Sequence, residues 1–227
     1  MGVLLVIFIG MYIYKCQKNK STITAIQIEN IQEYITKIYT WQELTGSALP
    51  EFDDINNAPD IWIWEVVKKN LEDYELTYDE IQQKANEIFG EDFKKQFPKD
   101  GTEFIYYDEE TGKYFTSGMG LDTEEDIFLI NEIKKTKKGY EVEIVEYLED
   151  YGEAMEAESG EGEEPADEEI EYNVYIKNIN GDTIATIKST DSETKAIETV
   201  KKNIDRFSTK TVYLKVDREN IYVESVQ

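Results

Sequence analysis

Residues 101–117, "GTEFIYYDEETGKYFTS", decide the fold, because apolar side chains stop recurring every three or four positions here and begin to alternate. "EFIYYD" and "KYFTS" read as two strands around a short loop, 109–112, with Gly112 where a positive φ is needed. Downstream the same signal repeats. "DIFLINEIKK" and "YEVEIVEYLE" flank "TKKG", and its glycine reads in the same way. "YNVYIKN" and "DTIATIK" flank Asn180-Gly181, which predicts a two-residue hairpin turn. After a helix capped by Ser192 and running to Arg206, with Ala196, Ile197, Val200, Ile204 and Phe207 apolar, "TVYLKV" and "IYVESV" pair across 218–220.

Upstream the pattern is helical. Over 24–41, Ile28, Ile31, Ile35 and Ile38 form one apolar stripe, suited to packing on the domain or to a short coiled-coil seam. The loop "TGSALPEFDDINNAP" ends with Pro59 at the first turn of a second helix. There Ile61, Trp64, Val67 and Leu71 share a face that Trp62 and Val66 widen, so the tryptophans read as core before ligand platform. Thr77 and Glu80 form a capping box and Gly90 a C-cap, which predicts a helix over 78–89 with Ile81, Ala85 and Ile88 inward. "EDFKKQFP" adds a turn ending before Pro98.

The 227 residues bound one main domain, placed at 59–227 after a juxtamembrane helix and loop at 21–58. A net charge of -25 gives a self-repelling surface and excludes nucleic acid as a partner, since phosphate binding needs clustered Lys and Arg. Cys16 is the single cysteine, so no intrachain disulfide forms. The absence of histidine removes the commonest general base, the Ser-His and Cys-His pairs and every His-containing zinc site.

Residues 2–14, "GVLLVIFIGMYIY", are uncharged and stop at "KCQKNK". Thirteen residues fall short of the roughly 17–25 of a spanning helix. With no basic start before the run and no small-x-small site after it, a cleaved signal is not supported. Residues 1–20 are therefore read as a single-pass membrane anchor whose upstream end is clipped, against a buried core segment as the alternative. Lys15, Lys18 and Lys20 would hold the domain in the cytoplasm by the positive-inside rule, whereas a missing basic start would reverse that. The extracytoplasmic side is the one taken here.

From 149 to 171, twelve of 23 residues are acidic and none is basic, the composition of a disordered loop between strands. "SGEGEEPADEE" lacks the ligand order of a tight calcium loop, so solvated linker, loose cation or basic-partner attraction, and metal site rank in that order.

No residue is assigned a catalytic, cofactor-binding or metal-ligating role. "TGKY" lacks the rest of a phosphate loop and reads as a turn; "SGMG" lacks the nucleophile-elbow order; Ser192 and Lys195 match Ser-x-x-Lys by spacing alone. Carboxylate pairs are too frequent to point to glycosidase or aspartic-protease chemistry. Sixteen tyrosines stand out, with Tyr106, Tyr107, Tyr114, Tyr140, Tyr147, Tyr172, Tyr175, Tyr213 and Tyr222 on expected strands. They suit a pleated, half-buried surface first and a ligand-stacking patch second.

Helices first, then long antiparallel strands ending in "YLKVDRENIYVESVQ", is an order that resembles the cystatin-like or nuclear-transport-factor-like α+β cone of membrane-anchored proteins from low-GC Gram-positive bacteria. The late helix departs from the simplest version of that order. The resemblance implies an α+β fold with N-terminal helices packed on a curved antiparallel sheet, over 59–227, and transfers no site residue. Two functions follow as expectations. One is a membrane-tethered, non-enzymatic binding module with no cofactor and a partner of open chemistry. The other is a small-ligand enzyme using a carboxylate and a tyrosine in a cone pocket.

Overall fold

A computed structural model describes residues 23–40, 48–116, 127–150, 173–189 and 193–227. The expected anchor, the "SGMG" motif, Tyr172 and Ser192 lie outside the described residues, as does all of the acidic segment after Asp150. Among the described residues the chain is α+β, with four α-helices, an antiparallel six-stranded sheet and a small three-stranded sheet. No described helix is long and apolar enough to cross a membrane. The chain divides into two compact units, one of Met1–Thr123, Ile133–Val142 and Thr211–Gln227, the other of Glu124–Glu132 and Glu143–Lys210.

In the first unit, helix α1 (Ala25–Ile38) begins at a capping box that Thr24 and Gln27 close reciprocally. Its predicted stripe is buried, and Tyr34 joins it. The helix stops at Ile38, short of the expected Trp41, and Tyr39 is extended. Two orphan carbonyls at this end are satisfied from helix α2 (Asp60–Lys69) and its cap. Lys69 Nζ donates to the Tyr39 carbonyl at 2.6 Å and Asn70 Nδ2 to that of Lys37 at 2.9 Å.

The inward face of α2 is broader than its pattern suggests: Trp62, Ile63, Trp64, Val66 and Val67 are buried, while Ile61 is half-buried and Leu71 falls beyond the helix. A helix apolar on most sides has neighbours on most sides. Trp62 stands between Phe52 and Phe89, its indole N–H donating to the Ala48 carbonyl at 3.1 Å; Trp64 meets Phe93 and Phe97 edge-on. Both indoles are core, as expected. The loop before α2 is tied down too, because Phe52 and Val226 exchange two backbone hydrogen bonds.

Helix α3 (Tyr78–Phe89) matches its expected bounds, capping box and Gly90 C-cap, the last at φ 86°. Strands β1 (Glu75–Leu76), β2 (Ile105–Asp108) and β3 (Lys113–Thr116) form the small sheet in the order β1-β3-β2. The 105–116 hairpin is where the alternation placed it, with Gly112 at φ 69°.

The larger sheet contains β4 (Ile127–Lys135), β5 (Gly139–Asp150), β6 (Asn173–Lys177), β7 (Thr183–Lys188), β8 (Ser208–Asp217) and β9 (Asn220–Val226), ordered β7-β6-β5-β8-β9, with β4 also on β5. Helices α1 and α3 pack on β9 within the first unit. Tyr34 links all three. Its buried hydroxyl donates to the Ile88 carbonyl at 3.0 Å and accepts from the Val223 amide at 2.8 Å, and burial pushes the phenol well above its usual range.

Three expected turn details are corrected. Gly139 does not have a positive φ; it is small because the Leu214 carbonyl oxygen occupies the place where a Cβ would stand. Asn180-Gly181 does not make a two-residue turn. Asn178 accepts from the amides of Asn180 and Asp182 through its side chain, and the ladder shifts register after Ile176, so the connection lengthens. Glu149 and Asp150, assigned by composition to the acidic loop, end β5 opposite Ile176 and Tyr175, with Asp150 ion-paired to Lys177.

In the second unit, α4 (Glu193–Lys202) buries Ala196, Ile197 and Val200 and packs on β7. It ends four residues earlier than expected, and Ile204–Arg206 form a 3-10 turn.

Candidate binding surface on the three-stranded sheet

Strands of two to four residues are marginal alone, so the small sheet depends on what its underside covers. That underside carries Leu76, Ile105 and Tyr114, all buried. Tyr114 lies 5.2 Å from Phe97 and 5.0 Å from Tyr107 between ring centres, and its hydroxyl donates to the Lys99 carbonyl at 2.8 Å. Burial pushes this phenol up. A chain of ring contacts therefore runs from Phe52 through Trp62, Phe89, Phe93, Trp64 and Phe97 to the sheet. It fixes the sheet to the helices.

Period-two alternation then sends the next residues outward. Tyr106 and Phe115 are register partners and stack at 5.8 Å with 23° between their planes. Tyr74, just before β1, meets Phe115 edge-on at 5.5 Å, and its hydroxyl lies 3.2 Å from that of Tyr106. The three rings form one outward face. Tyr74 is 56 % exposed and Tyr106 44 %. Glu75, opposite Phe115, pairs with Lys113, so the only cation on these strands is already engaged. The Tyr74 hydrogen bond is the main influence holding the Tyr106 phenol above its usual range, with the Asp108 charge adding to it.

No family model, curated protein or solved structure matches this chain. Its surface is therefore read from its own residues.

Of the tyrosines singled out in the sequence, Tyr106, Tyr107 and Tyr114 are brought together here, whereas Tyr140 and Tyr147 are buried in β5, and Tyr175, Tyr213 and Tyr222 are half-buried elsewhere. Tyr74, Phe115 and strand β1 were missed. The only signal for β1 was the Tyr-Glu-Leu stretch at 74–76, too short for alternation to declare a strand.

Two other places merit comparison. A depression of about 490 Å³, open to solvent, lies along the polar face of α3 between Asp79, Gln82, Gln83, Asn86, Glu87 and Tyr222. Two of its three amides are already committed, Gln82 to the backbone of Lys95 and Phe97 and Gln83 to Glu87. In the second unit Glu146 is fully buried on β5, with Lys210 Nζ 3.5 Å away. The hydroxyls of Tyr34, Tyr74, Tyr106 and Tyr114 bond to backbone carbonyls or to each other, so none of these four supplies the carboxylate–tyrosine pair of the enzyme reading. Among the described residues no three Cys, Asp or Glu side chains converge as a metal site.

Proposed function

We propose that this chain is a membrane-tethered, non-enzymatic binding module that recognises its partner through the aromatic face of the three-stranded sheet. The observation that carries the reading is the exposure of Tyr74 and Tyr106 beside Phe115, on a sheet whose other side is locked into the core. Tyrosine offers a large, rigid contact area at small entropic cost and dominates binding hot spots. Residues 2–14 support the tether. The lack of histidine and of nucleophile motifs supports a binding role over a catalytic one. The α+β architecture, with α1 and α3 packed on β9, supports the expectation of helices against an antiparallel sheet.

The test places a photo-reactive phenylalanine analogue at position 106 of the full chain in cells of its native host. The expected result is one discrete adduct in the membrane fraction, absent when the analogue replaces Glu87 on α3. Equal adducts at both positions, or recovery of the chain in the soluble fraction, would overturn the proposal.

A further inference from the structure

We infer that the occupant of the aromatic face is an arginine-rich, extended segment of a partner protein, a conclusion that rests on the docking role proposed above. Charge and ring chemistry together point to it. Within residues 72–75 and 106–113, Glu72, Asp73, Glu75, Asp108, Glu109 and Glu110 set six carboxylates against the one ammonium of Lys113. Lys113 is itself engaged by Glu75. Asp108 follows Tyr106 by two positions on β2 and so shares its face. The faces of Tyr74, Tyr106 and Phe115 carry negative quadrupole density, which attracts a cation lying over them.

A guanidinium fits these features better than an ammonium. It is planar enough to stack on a ring while its N–H groups reach carboxylates at the ring's edge. The paired hydroxyls of Tyr74 and Tyr106 add acceptors, because their mutual bond uses one lone pair and each oxygen keeps at least one more. A net charge of -25 would also steer a basic segment toward the surface.

On the β2 side of the face, side chains and not strand addition make the contact. The outer edge of β2 is met by its own chain, with Gly101 bridged to Tyr106 and the Thr102 amide donating to the Ile105 carbonyl at 2.7 Å. The β-augmentation route is closed there.

The experiment titrates the full 227-residue chain into a labelled peptide alternating arginine with serine, read by fluorescence anisotropy. Three comparison ligands are the lysine version, the version with neutral citrulline, and cellohexaose. The expected order is arginine tightest, lysine several-fold weaker, and citrulline and cellohexaose without binding. A Tyr74→Ala/Tyr106→Ala variant should lose about tenfold in affinity for the arginine peptide, since two exposed cation–ring contacts are removed. Thermal melts should match wild type because both side chains are exposed. Glu72→Gln/Asp73→Asn should weaken binding and flatten its salt dependence. Asp79→Asn/Glu87→Gln on α3, which removes two charges elsewhere, should leave binding unchanged.

Equal losses in the α3 variant, or none in the tyrosine variant, would overturn the inference in favour of diffuse charge attraction. Binding of cellohexaose that the tyrosine variant abolishes would overturn it in favour of a saccharide. If the position-106 adduct forms but the arginine peptide neither binds nor competes with it, the docking face stands and its cationic occupant is wrong. Loss of the adduct itself would take down the docking role.

Discussion

Tyr34 shows how much a single hydroxyl can hold in place. The Ile88 carbonyl belongs to the last turn of α3, where no intrahelical donor is left, and the Val223 amide lies on β9; one phenol serves both. Tyr34→Phe keeps the ring and strands two buried groups, so unfolding in urea should show a loss of about 1–3 kcal/mol with an unchanged slope. Thr77 acts at the opposite end of α3. Its backbone amide, followed by its hydroxyl, holds the Glu80 carboxyl below the usual glutamate range. A depressed carboxyl contributes stability above its unfolded value and loses it as pH falls through its folded value. Thr77→Ala should therefore cost about 1 kcal/mol at neutral pH. It should also flatten the decline on acidification below the normal glutamate range. Urea midpoints at neutral and acidic pH measure both, and an unchanged acid slope would show that the Thr77 amide, which the variant keeps, or other carboxylates control it.

At the level of the element, the buried Glu146–Lys210 pair joins β5 and β8 inside the second unit, on side chains 0 % and 11 % exposed. Removing one partner of a buried pair is costlier than removing both, because a charge is left in the interior. Lys210→Met should destabilise by about 3–5 kcal/mol, while Glu146→Leu/Lys210→Met should sit near wild type or above it. A double-mutant cycle in guanidinium decides; additive losses would mean that the two do not act as a pair. Elements of this chain differ in how far the sequence reveals them. Helix α3 and the 105–116 hairpin were legible because their signals are local, a capping box and a C-cap in one, alternation around a turn glycine in the other. Gly139 misled, since its smallness answers to Leu214, which lies 75 residues further along. Asn180-Gly181 misled because Asn178 offers the backbone a competing set of side-chain bonds. Strand β1 has two residues and exists only through its ladder with β3. The candidate face was half visible for the same reason. Tyr106 and its hairpin partner Phe115 lay on the two strands that alternation declared, but Tyr74 became their neighbour only when β1 found β3.

Across the whole molecule, electrostatic self-repulsion works against the compact state. A net charge of -25 opposes compaction, so melting temperature should rise as sodium chloride increases from about 0.01 M to about 0.15 M, where the screening length shortens from about 30 Å to about 8 Å. Replacing residues 152–169, which carry nine carboxylates, with a short Gly/Ser connection should raise the low-salt melting temperature and shrink the salt increment. Loop length itself matters little, about 0.6 kcal/mol per doubling. A saturable calcium-dependent rise confined to the intact chain would instead reveal a cation site in that segment.

The division of the first unit among three separate pieces of chain has a consequence for biosynthesis. Its buried sheet residues Val212, Leu214, Val223 and Val226 are made after the whole of the second unit has been translated. At roughly 5–20 residues per second, α1 emerges many seconds before the amide of Val223 that its Tyr34 awaits. Throughout that interval the isoleucine stripe of α1 has no β9 to lie on. A nascent chain stalled before residue 211 should accordingly be held by chaperones or degraded, while the second unit, whose pieces are complete by Lys210, is free to fold first.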